Sequence, residues 1–361
     1  MTEAPSAPEA TERGRERPAT ELPCYGALDL GTNNCRLLIA TPQGPGGFRV
    51  VEAYSRIVRL GEGLSASGRL SDAAMERAMA ALKVSAEKLR RRRVVRLRAI
   101  ATQACRMAEN GQAFLDEVFS ETGLRLQIIP PQEEARLSVA GCLNLIDRSA
   151  DAALVVDVGG GSTELSWVEL KGAPPTGMPP LRAWLSVPIG VVTLAEKFPE
   201  GEAATEGWFR AMVDTVKTEI AAFRRADSLR EVFDADRAHL IGTSGAITSL
   251  AGLHLELPRY DRNRVDGIWM SRDDCEAAAG KLLSLNARER AEQPCIGPDR
   301  ADLVLAGAAI LQAVQELWPC SRVRVADRGL REGILLSLMA DRGGRHRRRR
   351  RRGPRRAEVA E

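Results

Sequence analysis

Apolar runs of strand length alternate along this chain with stretches whose apolar residues recur at helical spacing. Residues 25–30 and 36–41 read as two strands around a polar, Gly-containing loop, and 48–54 as a third. Ser71 then stands as an N-cap with Asp72 in the first turn, and Met75, Met79, Leu82, Ala86 and Leu89 fall on one helical face and are read as core. Arg90–Arg93 puts positive charge at the end of that helix, as the dipole prefers. A strand at 94–100, a helix near 112–121 ended by Gly123 and a short strand at 126–129 follow. Pro130-Pro131 breaks that strand, and Gln132-Glu133-Glu134 opens a helix to about Leu145. Strands are then expected at 153–157, 165–170, 184–188 and 239–242, with an exposed Gly/Pro-rich loop at 171–180. Helices are expected at 192–198, at 205–226 and across most of 271–339. This alternation implies an α/β class.

Two of the strand pairs carry the same device. Asp29-Leu30-Gly31-Thr32-Asn33-Asn34 and Asp157-Val158-Gly159-Gly160-Gly161-Ser162-Thr163-Glu164 both follow an apolar strand and precede a second apolar run. Glycine removes the Cβ that blocks close approach of an anion to backbone N–H groups, and Ser, Thr and Asn add short donors. An Asp would repel a bare phosphate, so its place in each loop suits a Mg²⁺ ion or that ion's waters. Neither loop carries the Lys of the other common phosphate loop. The alternative is a pair of tight hairpin turns whose glycines supply positive φ. Two matched loops far apart in sequence instead suggest two lobes that meet on one phosphate chain.

Composition narrows the classes. The chain has 361 residues, 44% hydrophobic and 28% charged, room for two or three globular domains. It has no apolar run long enough to cross a membrane, and residues 1–22 read as a disordered leader rather than a secretory signal. Seven cysteines occur singly, without a CxxC pair, which argues against a disulfide framework or zinc site and for a cytoplasmic protein. With three histidines, at 239, 254 and 346, any catalysis falls on carboxylates and backbone. The net charge of +4 comes from the tail. Setting aside the ten Arg and two Glu from Arg342 onward leaves 42 basic and 46 acidic residues of 52 and 48, a body near −4. That tail, 342–361, is expected to be disordered, and it could contact RNA or another polyanion by counterion release.

Six segments together resemble the exopolyphosphatase/guanosine pentaphosphate phosphohydrolase (Ppx/GppA) family. They are Asp29-Leu30-Gly31-Thr32-Asn33, Val58-Arg59-Leu60-Gly61-Glu62-Gly63-Leu64, Ala101-Thr102-x-Ala104-x-Arg106, Glu133-Glu134-Ala135-Arg136-Leu137, Asp157 through Glu164, and Asp327-Arg328-Gly329-Leu330-Arg331-Glu332-Gly333. They keep the family's order and spacing over about residues 25–338. Departures are modest: Thr32 and Asn34 stand where Ser is usual, Gln103 replaces a frequent Ser, Cys35 a larger apolar residue, and Pro130-Pro131 a Ser-Gly or Thr-Pro. The resemblance implies a two-lobed actin-like, ribonuclease H-like fold with an interlobe cleft. The lobes would span 23–135 and 136–326, with a helix at 327–341 packing back on the first, and the chain lacks the helical extension of longer members. It also implies a homodimer and Mg²⁺-dependent (or Mn²⁺-dependent) removal of the terminal phosphate from inorganic polyphosphate or pppGpp.

Roles carry over onto matching positions. Glu134 takes the place of the family's catalytic Glu, and its position in a helix's first turn suggests a carboxylate held ionised by the dipole and able to accept a proton from water. Asp157 and Glu164 match metal-associated acids, with Asp29 near the same ion. Gly31, Thr32, Asn33 and Asn34 would wrap phosphates from the first lobe, and Gly159, Gly160, Gly161, Ser162 and Thr163 from the second. Arg106 is a phosphate clamp by its guanidinium geometry. Gly242-Thr243-Ser244-Gly245 would bring a further helix N-terminus to the nucleoside or next phosphates. Two other readings stay open: a non-catalytic sensor of alarmone, polyphosphate or RNA, and a small-molecule kinase of the same superfamily.

Overall fold

Two mixed sheets repeat one plan. In the first, β1 (Tyr25–Leu30) lies between antiparallel β2 (Asn34–Pro42) and parallel β4 (Arg96–Ala101), with β3 (Phe48–Ile57) and β5 (Leu126–Ile128) at the edges. In the second, β6 (Ala152–Val158) lies between antiparallel β7 (Thr163–Glu169) and parallel β9 (Ala238–Thr243). Beyond β7 lies β8 (Leu181–Val187), and beyond β9 lie β11 (Arg322–Ala326) and then β10 (Trp269–Ser271). The central strands are covered on both faces, so they read as apolar runs rather than alternations. The computed structural model describes residues 22–44 and 46–351, with side chains placed through Ala340. The expected leader, apart from Leu22, lies outside these residues, as do the end of the Arg-rich tail and any contact its side chains make with RNA or polyanion.

The principal helices are α1 (Asp72–Arg91), α2 (Gly111–Thr122), α3 (Pro131–Cys142), α4 (Val191–Lys197), α5 (Glu206–Ala221), α6 (Gly245–His254), α7 (Arg272–Leu283), α8 (Val304–Leu317) and α9 (Leu330–Arg351). Ser71 caps α1 by accepting from the Ala74 N–H. The apolar faces of α1 and α2 cover the first sheet, with Leu82, Leu89 and Phe114 packed against Leu28, Leu30 and Leu37. In the second lobe Trp318 packs edge-on to Trp167 and Phe233, at centroid distances of 5.2 and 5.1 Å. Among the described residues all cysteines are free, and no helix is long and apolar enough to cross a membrane.

Two expectations need correction, and one strand was missed. The lobe boundary at 135/136 falls inside α3, a single helix that serves both lobes. Its Leu137 packs with Tyr25, Ile100, Ile334 and Leu335, while Val139 and Cys142 pack with Val155, Ile241 and Ala326. Helices do fill most of 271–339, and β11 stands between α8 and α9 as a strand that was not expected. Its Arg-Val-Arg-Val alternation is a strand signal: Val323 and Val325 are buried, and Arg322 and Arg324 stack on Trp269. Finally, α9 continues to Arg351, past the Asp341 where order was expected to end; Arg is a good helix former.

The lobes are joined where α3 crosses α9 at backbone contact. A Cβ on Gly333 would sit 2.0 Å from the Leu137 carbonyl oxygen, and one on Gly141 would sit 1.8 Å from that of Gly329. Gly333→Ala must therefore push the helices apart, and a loss of about 1–3 kcal/mol or more is expected in urea denaturation. Gly280→Ala in α7, where a Cβ meets nothing, should instead stabilise by about 0.5–1 kcal/mol. Equal effects of the two substitutions would contradict a close-packed crossing.

Candidate active site

Each Asp-x-Gly lies where a central strand ends, and the two loops are held by different means. In the first, the Gly31 N–H donates to the Asn34 carbonyl (2.9 Å). Asn33 O accepts from the N–H groups of Val58 (2.9 Å) and Arg59 (3.1 Å), and Thr32 O from that of Gly61 (2.9 Å). In the second, the Gly159 N–H donates to Ser162 O (2.9 Å), while the first turn of α4 donates into the loop: Val191 N–H to Gly159 O (2.9 Å) and Val192 N–H to Gly160 O (2.8 Å). The loops then meet face to face. A Cβ on Gly161 would come within 2.7 Å of Thr32 Oγ1, and one on Gly160 within 3.0 Å of Asn33 N, so here glycine is required by the contact.

Beside this contact lies a cavity of about 140 Å³. Gly31, Thr32, Asn33 and Asn34 line it from the first lobe, and Gly159, Gly160, Gly161 and Ser162 from the second. Asp29, Glu134, Asp157, Glu164, Asp327 and Glu332 supply its carboxylates. Thr243, Ser244 and Gly245 complete the wall at the start of α6, whose N-terminus is capped by Ser244 Oγ accepting from the Ile247 N–H (3.0 Å).

Glu134 and Glu164 are buried, Asp29 and Asp157 are half-buried, and these four acids have raised pKa values. Burial lifts Asp29 to about 6, aided by Asp157 and opposed by Arg36 and Arg331. Burial and the Asp157 charge lift Glu164 to about 7, although its Oε1 accepts from Ser162 and Ser186 at 2.8 Å each. Asp157 is raised by burial against the pull of a hydrogen bond from Ser138. Asp29 Oδ1 is buried without a partner. Glu134 departs from the expectation of a carboxylate held ionised by the helix dipole. It does sit in the first turn of α3, but burial followed by the Glu164 charge drives its pKa well up, and Arg106 is the main opposing influence. Glu133 turns the other way and pairs with Arg98.

Three expected site residues do not line the cavity. Arg106 stands behind Glu134. Its Nη1 donates to Ile129 O (2.6 Å), its Nη2 to Gln103 Oε1 (2.6 Å), and both lie 3.4 Å from Glu134 Oε2, so its donors are committed to bracing the acid. Thr163 is a buried β7 residue whose hydroxyl donates to Ile189 O (2.7 Å). Gly242 lies within β9, where Ile247 packs over it. The expected metal trio also differs: Asp29, Asp157 and Glu164 share the cavity, yet among the described residues no three His, Cys, Asp or Glu converge as a metal-binding group.

The cavity gains four cations that sequence reasoning left out or unassigned, one of which, Arg328, is paired with Asp266. Arg36, Arg300 and Arg331 line it, and among the described residues none makes a side-chain hydrogen bond or ion pair. A Cβ on Gly245 would find Arg36 Nη2 and Arg300 Cζ each at 3.7 Å, so guanidinium groups from both lobes reach the start of α6. Arg36 was legible in principle. It lies directly opposite Asp29 in the β1–β2 register, the place that Glu164 holds opposite Asp157 in β6–β7. Arg331 stands in a quoted motif, whereas nothing local in sequence marks Arg300.

Residues 39–342 match the model of the Ppx/GppA phosphatase family. The chain is 29% identical over 86% of its length to Exopolyphosphatase 2 of Mycobacterium tuberculosis, covering 97% of that protein. It is 28% identical over 88% of its length to the guanosine-5'-triphosphate,3'-diphosphate pyrophosphatase of Photobacterium profundum, spanning 60% of that longer protein. A crystal structure of an exopolyphosphatase-like protein, 32% identical, superposes with a TM-score of 0.76 over 87% of this chain and 98% of the other. With its paired hairpins, its interlobe cleft and this match over most of its length, the chain is an enzyme of two-lobed actin-like fold that belongs to the Ppx/GppA phosphatase family.

Proposed function

We propose that this enzyme removes the terminal phosphate of a linear phosphoanhydride, inorganic polyphosphate or pppGpp, with Mg²⁺ or Mn²⁺, by attack of a water that Glu134 orients and deprotonates. One juxtaposition carries the reading. A buried Glu with its own Arg brace shares a cavity with two glycine loops and three guanidinium groups that, among the described residues, make no side-chain hydrogen bond or ion pair. Unpaired guanidinium groups beside backbone donors suit phosphate oxygens, which accept from both. The names of the relatives supply the two substrates, and their common feature is the terminal phosphoryl group.

The carboxylate set fits a divalent ion. Asp29 Oδ1 has no protein partner, and Asp157 and Glu164 keep one carboxylate oxygen each outside their serine hydrogen bonds. Mg²⁺ is commonly held by one or two carboxylates, with waters and substrate phosphates completing its shell, so a compact protein trio is not required. The bound ion would neutralise phosphate charge. The chain's own residues do the rest. Arg36 and Arg300 hold the phosphates against the start of α6, the two loops exclude bulk water, and Arg106 fixes the carboxylate of Glu134. A base with a raised pKa is the stronger acceptor once ionised.

Glu134→Gln should lower kcat by about 10²- to 10⁴-fold while polyphosphate binding persists. A phosphate-release assay with equal concentrations of chain ends, on polyphosphate and on pppGpp, ranks the two substrates. Wild type inactive on both with Mg²⁺ present would sink the proposal. In the same assay Arg36→Ala and Arg300→Ala should each raise KM, and an unchanged KM for both would remove them from the phosphate site.

A stability test addresses the repulsion between the acids. The folded-state pKa of Glu164 is lifted from 4.5 to about 7, so its contribution to stability is whole below about 4.5 and is lost as pH rises through 7. Glu164→Gln keeps an acceptor for Ser162 and Ser186. In EDTA at pH 8 it should exceed wild type by on the order of 2 kcal/mol, with little difference at pH 4. Mg²⁺ should narrow the gap at pH 8. Equal stabilities at pH 8 in EDTA would show that the acids do not strain the fold.

A further inference from the structure

Segment 58–63 belongs to the first lobe and is attached both to the first glycine loop and, across the cleft, to the second lobe. On its own side, Val58, Arg59 and Gly61 donate backbone N–H groups to Asn33 O and Thr32 O, the carbonyls of the first glycine loop. Arg77 of α1 stiffens it, donating to Val58 O (2.9 Å), Arg59 O (3.3 Å) and Glu62 Oε2 (2.7 Å). Across the cleft, Arg59 forms a two-pronged pair with Asp302, at 2.8 and 3.1 Å, and donates to Asp299 O at 3.4 Å. The Gly63 N–H donates to Glu196 Oε1 (2.9 Å). Both second-lobe anchors lead back to the site. Asp302 lies two residues beyond Arg300, and Glu196 stands on α4, whose first turn holds the carbonyls of Gly159 and Gly160. Arg59 also keeps a left-handed backbone, φ +47°, unusual for a residue with a side chain.

We propose that Arg59 is a positioning residue: its bond to Asp302 latches the lobes and sets the spacing of the two glycine loops on the substrate. The segment converts lobe closure into loop geometry, because its far ends grip the second lobe while its backbone grips the first loop. The proposal rests on the phosphohydrolase reading for its kinetic consequences alone. The latch pair is partly exposed, with side-chain exposures of 33% and 49%, so its loss shifts the open–closed balance rather than unfolding the chain. A smaller closed population weakens apparent affinity in proportion.

The experiment compares wild type, Arg59→Gly, Asp302→Ala, the double variant and the reversed pair Arg59→Asp/Asp302→Arg. Glycine accepts the left-handed φ without strain, so Arg59→Gly removes the side chain and leaves the loop its shape. Each single variant should raise KM for tripolyphosphate by about two- to fivefold with kcat nearly unchanged, and small-angle scattering should show a larger radius of gyration. The double variant should be no worse than either single one, and the reversed pair should recover most of the loss. Additive single effects, or single variants with wild-type KM and scattering, overturn the latch. If wild type releases no phosphate, the proposed reaction fails and scattering alone decides the latch.

Discussion

Four carboxylates gathered at one small cavity, two of them buried and two half-buried, are the constraint on which the site depends. Asp29, Glu134, Asp157 and Glu164 come from four different elements, β1, α3, β6 and β7, and burial raises the pKa of every one. A fold gains nothing in stability from such a gathering, since like charges away from water repel and are poorly solvated. The strain is tolerable because each acid is held by a rigid element whose packing is settled elsewhere: central strands for three, and a helix clamped between lobes for the fourth.

That clamp explains how a two-lobed molecule keeps its acids in register. Helices α3 and α9 cross at Gly141 and Gly333 with backbone against backbone, and each helix contributes to the cluster around Ile100 and Ile334. The connection between lobes is thus a packed crossing, stiff along its length. A second contact between the lobes lies where Arg59 meets Asp302.

Much of this was legible in the chain. The matched Asp-x-Gly loops announced two hairpins on one plan, and the structure sets them face to face. Ser71 and Pro131 marked helix starts because their chemistry is local. What local pattern could not carry were facts created by the meeting of distant segments. Thr163 and Arg106 carry the right chemistry for phosphate, yet one is spent on Ile189 O and the other on Gln103, Ile129 and Glu134. Whether a donor is free or committed depends on its tertiary neighbours. Arg300 reverses the case: an unmarked residue between short helices becomes a cleft cation because the start of α8 faces the start of α6. The boundary at 135/136 failed for a related reason, since a helix shared by two lobes shows no change of composition where ownership passes.

The internal repeat also explains the polarity of the cleft. The hairpins agree in register, but opposite the conserved-in-plan Asp one places Arg36 and the other Glu164. The first lobe therefore offers an acid beside a cation, and the second offers two acids. Arg36 of the first lobe and Arg300 of the second both reach the start of α6 at Gly245, in the cavity that also holds these acids. A cleft assembled from two differently charged copies of one hairpin makes its electrostatics a function of lobe spacing, and a latch at segment 58–63, as proposed, would act on the site through that spacing.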